Sequence, residues 1–407
     1  MEYIRKTFSS LEVRNFRLFV IGQGISLTGT WMQTIAISWL VLLLTRSGTQ
    51  LGLVIAAQFL PILIFGAWGG VIADRFNKRN ILYVTQTLFG LLALILGLLV
   101  VSHQIHLWMV YCLAVSLGLV NVVDSPARQS FVIEMVGHKN LKNAITLNST
   151  MVNAARVIGP SIAGILIATL GIGTCFIVNA ISYLAVLYAL FLMRSKELHP
   201  APISDREPGQ IRAGLRYVWS IPKLKVTLLM MLIIGTFAYE FPVVFPLFAT
   251  ITLHGNAGTY SAMMVATGIG AVLGGLYTAS HSVSKETQLI WIAILFGFSI
   301  LITSIMPTLI SALVILVFVG ALSILFIALG NTTLQLTSEP TMRGRVMSLW
   351  TIAFLGTTPI GGPIIGFISD HSNPRIGLAV GGLSAITAGI LGFYIYSRPG
   401  NTTPLIN

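Results

Sequence analysis

The sequence predicts an all-α membrane protein, with twelve transmembrane helices arranged as two six-helix bundles. Three observations carry this. Only 9% of the 407 residues are charged and 55% are hydrophobic, with a mean hydropathy of +0.87; a soluble domain carries about 25% charge. Apolar stretches of about 20 residues, the length of a bilayer crossing, recur between short polar loops. The runs are continuous rather than alternating, which excludes a transmembrane barrel.

The first bundle takes in residues 1–193, with spans at 16–44, 48–73, 80–101, 106–127, 141–169 and 172–193. Span 1 places Gln23, Ser26, Thr30, Gln33, Thr34 and Ser38 within one arc. A polar stripe on an apolar membrane helix faces a wet cavity or bonds a neighbouring helix. Trp31 and Trp39 add apolar surface beside it. Span 2 carries Gln58 and Pro61 and runs into a charged cluster, Asp74, Arg75, Lys78 and Arg79. Lys and Arg at such a span end stay hydrated at the water edge. Span 4 ends at Asp124, just before Arg128. Span 5 sets Ser149, Asn153, Arg156 and Pro160 on one face by helical spacing. Arg156 is the only base deep inside a span; it suits an anionic substrate or a charge pair with Asp124 or Glu240. Cys112 and Cys175 lie inside spans and read as buried structural thiols, with no disulfide or metal implied.

The polar interruption at 194–222 is a linker. Its first part, from Glu197, is Pro-rich. Its second part places Ile211, Leu215 and Val218 on one face with Arg212 and Arg216 off it, a short amphipathic helix for the membrane surface.

The second bundle, 223–407, has spans at 224–250, 258–280, 286–305, 308–336, 345–369 and 375–396. Span 7 holds Glu240, the only acid well inside a span, about 20 Å from its start. Ionised, it would be costly in lipid, so it faces the central cavity or carries a proton. That makes it the proton-coupling candidate, against a structural Glu bonded to a neighbouring helix. Pro242 and Pro246 free nearby carbonyls and suit a bending gate helix, with Phe237 and Tyr239 alongside. Asn331 and Gln335 on span 10 are cavity or gate candidates. Span 11 carries Gly362-Pro363 and Gly366, matching Gly159-Pro160 and Gly164 of span 5 about 203 residues earlier. Parallel six-span repeats are one way that transporters build alternating access.

The net charge of +12 reflects topology rather than nucleic acid. On this map nearly every Lys and Arg falls on one side, from Arg5, Lys6, Arg14 and Arg17 to Lys285, Arg343, Arg345 and Arg398; only Arg46 and Arg375 fall on the other. The positive-inside rule then puts both termini in the cytoplasm, next to anionic lipid. A cleavable signal peptide is not expected, because the first span is too long for one. His103, His106, His254 and His371 lack metal-ligand spacing and read as loop residues. Without a nucleotide-binding loop, ATP-driven transport is not expected.

Residues 70–79 set a small residue, Asp-Arg and a basic pair between two long apolar segments. This resembles the loop between helices 2 and 3 of the major facilitator superfamily. Gly29-Thr-Trp-Met-Gln, Asp124-Ser-Pro-Ala-Arg-Gln-Ser-Phe, Asn143-Ala-Ile-Thr-Leu-Asn-Ser, Arg156-Val-Ile-Gly-Pro and Arg343-Gly-Arg-Val-Met-Ser look like its enterobactin-exporter and macrolide-efflux branch. The resemblance implies a conformational latch of Gly70, Asp74, Arg75, Lys78, Arg79 and Asp124. In it, Asp74 meets the start of span 11, and Lys78 or Arg79 pairs with Asp124; otherwise the loop charges only set topology. Gly159, Pro160, Pro242, Pro246, Gly362 and Pro363 would be bend or gate positions. The chain departs from the pattern after Gly274, where the Asp-Arg pair is missing, and in span 5, which lacks the fuller glycine series of drug–proton antiporters.

The expected function is secondary active export of a small amphiphilic molecule, such as a siderophore or drug, across the bacterial inner membrane. The proton gradient would drive it, with no cofactor, in a monomer whose partners are substrate and lipid rather than nucleic acid. The alternatives are metabolite uptake or facilitated diffusion by the same fold, and a membrane sensor without flux. An enzyme is not expected, since no convergent catalytic cluster is present.

Overall fold

The computed structural model describes residues 9–199, 210–280 and 286–397. It is helical, and among the described residues twelve helices are long and apolar enough to cross a membrane. Residues 200–209 of the linker, with Arg206 among them, Lys285, Arg398 and the first eight residues lie outside the described residues. The side chains of Ile211 and Arg212 are also not described, although their helix, Gln210–Ser220, is.

Three elements differ from the sequence reading. Spans 4 and 5 form one run, Leu107–Thr169, interrupted at Gly137 with φ 64°. Span 4 therefore passes the expected end at residue 127 and continues to Gly137. Packing is the reason: Phe131, Val132, Met135 and Val136 are buried against Phe16, Phe19, Leu82, Leu190 and Met193. Burial of that face outweighs the polar residues between. Glycine at 137 supplies the left-handed backbone that ends the helix at little cost.

Span 7 breaks at Ala238–Glu240 between the helices Pro222–Phe237 and Phe241–Leu247, then widens into a π turn at Phe248–Thr252. Pro242 lies in the first turn of the second helix, where its missing N–H costs nothing. The break therefore precedes the first proline. Span 11 breaks between Arg343–Leu355 and Thr358–His371, and Gly362-Pro363 lies inside the second helix.

Two compact units account for the chain. Unit 1 comprises residues up to Thr45, Ala57–Arg206 and Tyr260–Val265; unit 2 comprises Arg46–Ala56, Glu207–Thr259 and Ala266 onward. The helix Gly48–Arg75 thus contributes to both. Within unit 1, span 1 packs on spans 4, 5 and 6, and span 3 packs on span 6. Within unit 2, span 9 packs on spans 10 and 12, and span 12 packs on span 7.

Lipid tails are as apolar as Leu, so close backbone approach carries much of this helix association. In unit 2, a Cβ on Gly270 would lie 1.9 Å from the Val317 carbonyl oxygen, and one on Gly320 1.9 Å from that of Thr267. Spans 8 and 10 therefore meet backbone to backbone. Gly320→Ala should cost about 1–3 kcal/mol of overpacking, read as a lower thermal midpoint of the detergent-solubilised protein. An unchanged midpoint would mean the contact relaxes freely.

Candidate functional site

In unit 1 the charges of the 2–3 loop and span 4 form two ion pairs. Asp124 is fully buried. Its Oδ1 accepts from Thr85 Oγ1 at 2.7 Å and Gln86 Nε2 at 2.8 Å, and Arg128 Nη2 lies 3.1 Å from Oδ2. Lys78 Nζ lies 2.9 Å from Glu134 Oε1, with both side chains less than a tenth exposed. Arg79 donates through Nε and Nη2 to the Leu190 carbonyl at 3.0 and 2.6 Å, and its Nη1 bonds Ser195 Oγ. The Lys78 or Arg79 pairing expected for Asp124 is therefore not the one observed. Arg128 is one turn from Asp124 on the same helix, so it reaches the carboxylate without closing a long loop. The extended span 4 brings Glu134 beside Lys78. Arg79 is drawn to the carbonyls that end span 6, where a cation complements the helix dipole. Gly70 is buried, Asp74 half-buried and Arg75 exposed.

The span 1 stripe divides. Gln33 is buried and its Oε1 accepts from Asn179 Nδ2 of span 6 at 2.6 Å; Ser182 donates to Asn179 Oδ1 at 3.0 Å. Thr30 lies 3.3 Å from the Tyr183 hydroxyl and donates to Ser26 O, while Thr34 donates to Thr30 O. Gln23, Ser26 and Ser38 are buried. Gln33 and Thr30 of the stripe thus bond span 6 rather than facing open space.

Arg156 is half-buried, with its guanidinium 4.9 Å from the Trp31 ring centroid, a cation–π distance. Gly159 makes this possible: a Cβ there would lie 2.6 Å from Trp31 Cβ and 2.7 Å from Thr28 O. Gly159-Pro160 therefore serves close packing of spans 1 and 5 and does not interrupt the helix. Asn153 donates to Ser149 O on its own helix at 3.0 Å. A groove of about 490 Å³ runs between spans 1, 5 and 6, walled by Gly24, Thr28, Met32, Met151, Ile158 and Ser182. Neither Arg156 nor Asn153 lines it. Cys175 is buried as expected, but Cys112 is exposed because its face of span 4 points away from the bundle.

In unit 2, Glu240 occupies the span 7 break and is 3% exposed. Thr358, at the start of the second half of span 11, hydrogen-bonds its side chain. Among the described residues Oε1 has no hydrogen-bond partner. Gly361 and Gly362 make room for the carboxyl: added Cβ atoms would lie 3.1 Å from Oε1 and 3.4 Å from Oε2. The neighbouring Tyr239 ring packs 5.4 Å from Phe354 and 5.5 Å from Phe296, and its hydroxyl donates to Ser323 O at 2.9 Å. Pro246 is buried. On span 10, Gln335 Nε2 bonds Asn331 Oδ1, a bond within one helix. Gln58 and Pro61 of span 2 border Gly118 of span 4 in unit 1.

Two acids not singled out from the sequence prove well bonded. Glu134 holds Lys78, as above. Asp370, near the end of span 11, accepts from Ser47 Oγ at 2.7 Å, Gly48 N at 2.5 Å, and Thr49 N and Oγ1 at 2.8 Å each. Its partners lie more than 300 residues away in sequence.

A family model described as transmembrane secretion effector matches residues 5–405. The enterobactin exporter EntS of Citrobacter koseri is 25% identical over 384 residues, 92% of this chain and 90% of that protein. The staphyloferrin A transporter of Staphylococcus aureus is 32% identical over 164 residues, 40% of this chain and 41% of that protein. A crystal structure of a POT family transporter in complex with 5-aminolevulinic acid superposes with a TM-score of 0.77 at 10% identity, covering 94% of this chain and 96% of that chain. The last likeness concerns the fold alone.

Proposed function

The chain belongs to the transmembrane secretion effector family of the major facilitator superfamily, and on that premise we propose that it is a proton-coupled exporter. It is a multi-pass membrane transporter of small molecules; the proposal adds direction, coupling and cargo. The cargo is a small amphiphile such as a siderophore, moved out across the bacterial inner membrane by alternating access. In this reading residues 1–193 and 223–407 are the two bundles, the linker 194–222 joins them, both termini are cytoplasmic, and the working unit is a monomer.

Glu240 carries the proposal. It is a carboxyl almost fully buried in a membrane span, at a helix break, with one oxygen lacking a hydrogen bond among the described residues. Such a group is stable when protonated; ionised, it calls for water or a counter-charge, so its proton occupancy favours different conformations. Arg156, over Trp31, is the proposed contact for an anionic part of the cargo. The named relatives support a siderophore: one exports enterobactin and one transports staphyloferrin A.

Everted vesicles test direction and coupling together. Energised vesicles containing the protein should accumulate a catecholate siderophore, a citrate-based siderophore or a lipophilic cationic dye several-fold over vesicles without it. A protonophore should erase the difference. Accumulation in right-side-out vesicles instead would refute export.

A further inference from the structure

The groove between spans 1, 5 and 6 belongs to no role assigned so far. Its rim is formed by Ile21 and Ile25 of span 1 and Ile158 of span 5, which are 59%, 50% and 48% exposed. The polar residues of span 5 point elsewhere: Asn153 and Arg156 lie about 200° round the helix from Ala155 and Ile158. An apolar rim on a membrane span, turned away from the polar face, opens sideways toward lipid tails. Two hydroxyls line the groove, and both are engaged. Thr28 donates to Gly24 O at 2.9 Å, and Ser182 donates to Asn179 O at 2.7 Å. The surface offered to a ligand is therefore apolar, which does not suit the polar parts of a siderophore.

Shape narrows the occupant. The groove follows span 1 from Val20 to Met32, a rise of about 18 Å. One leaflet contributes roughly 15 Å to the hydrocarbon core. Spread over that length, 490 Å³ leaves a mean cross-section of roughly 27 Å². A helix from a second copy, about 10 Å across, needs about three times that area. A single hydrocarbon chain fits, since its carbons need only about 4 Å to their neighbours. Gly24 and Ala154 keep the slot open, and Met32 and Met151 are side chains that adapt to an irregular occupant.

Charge narrows it again. Arg17 lies four residues before Ile21 and seven before Gly24, on the same face of span 1. It is exposed, and its Nη1 makes only a long contact, 3.4 Å, to the Leu11 carbonyl. Among the described residues it forms no ion pair. Arg14, one turn earlier, is instead held by the Leu192 carbonyl at 2.8 Å. The Arg17 guanidinium thus sits one turn outside the groove mouth, at the water edge, where its fork matches a phosphate.

We infer that this groove is a binding site for one anionic phospholipid, with an acyl chain between spans 1 and 5 and its phosphate on Arg17. All of its residues belong to unit 1. The inference goes beyond the transport reading and uses no direction, cargo or coupling ion.

Native mass spectrometry of the purified full chain in a mild detergent tests this, with phosphatidylglycerol and phosphatidylcholine of identical chains as probes. The parent should hold one phosphatidylglycerol about fivefold more tightly than phosphatidylcholine, the effect of one basic residue on an anionic headgroup. Arg17→Gln should remove that preference. Lys142→Gln is the control: Lys142 is exposed, but it lies nine residues before Met151, half a turn off the groove face. It should leave the preference intact. Ala154→Phe fills the groove from an exposed position and should weaken both lipids by about tenfold or more. No preference in the parent, or equal losses from Arg17→Gln and Lys142→Gln, overturns the inference, because lipid would then follow general charge alone. Unchanged binding in Ala154→Phe overturns it as well. A dimeric parent made monomeric by Ala154→Phe would put a second copy in the groove instead of lipid. The two charge variants change only exposed side chains, so their comparison decides the matter even if Ala154→Phe does not fold.

Discussion

Glu240→Gln is expected to abolish gradient-driven transport while leaving a folded protein that still exchanges substrate. Glutamine matches glutamate in shape and can still bond Thr358, so the packing of span 7 against Gly361 and Gly362 should survive. What it loses is the ability to bind and release a proton. If proton occupancy of Glu240 biases the cycle, a side chain fixed in the neutral form leaves the pH gradient nothing to act on. Accumulation driven by an imposed pH jump in proteoliposomes should fall to the protein-free background. Counterflow without a gradient should stay within about threefold of the parent, since the differential affinity of the two states for substrate is untouched. Glu240→Asp should retain part of the driven flux. Intact pH-driven accumulation in the Gln variant would remove Glu240 from the coupling mechanism; loss of both activities would assign it to substrate binding or folding.

The fold was legible because bilayer physics is coarse. Length, hydropathy and the side preference of Lys and Arg suffice to find spans, and none depends on tertiary detail. The errors arose where tertiary packing decides. Arg128 looks like the start of a loop, yet span 4 continues because Phe131 and Met135 have a buried surface to meet. The true end is marked by Gly137, whose positive φ suits glycine. Asp124–Arg128 was available as an i, i+4 pair, but family resemblance pointed to partners on the 2–3 loop.

Side-chain partners were the least legible. The span 1 stripe could be placed on one arc from sequence, but periodicity does not say that Asn179 waits opposite Gln33. The Gly-Pro pairs read from sequence as bend or gate positions. Gly159 and Gly362 instead allow another backbone to approach, a function that no local pattern separates from bending. Asp370 sits at a helix end, where an acid is easily taken as solvated, and its donors lie on another span. The repeat of Gly66–Arg75 at Gly362–His371 was the one signal that pointed to it.

Breaking the Lys78–Glu134 pair should destabilise unit 1 far more than its surface counterpart. The Nζ–Oε1 distance is 2.9 Å with side chains 9% and 8% exposed, whereas Arg194–Glu197 is similarly close at 3.0 Å but 64% and 41% exposed. Geometry is nearly equal, so burial decides. Removing one partner of a buried pair leaves a desolvated charge, at a cost of about 3–5 kcal/mol; an exposed pair is worth about 0–1 kcal/mol. Glu134→Gln, which strands the Lys78 ammonium, should therefore lower stability sharply in detergent unfolding, and Glu197→Gln should barely register. The double variant Lys78→Met with Glu134→Leu removes both charges at similar volume and should recover most of the loss, because apolar replacement of a buried pair is often neutral or stabilising. A single-variant cost below about 1 kcal/mol would mean that water reaches the pair. A double variant as unstable as the single would show that packing, rather than charge, holds this corner together. If the recovered double variant also transports normally, the loop lysine serves the fold alone; if it folds but does not transport, the pair works in the cycle.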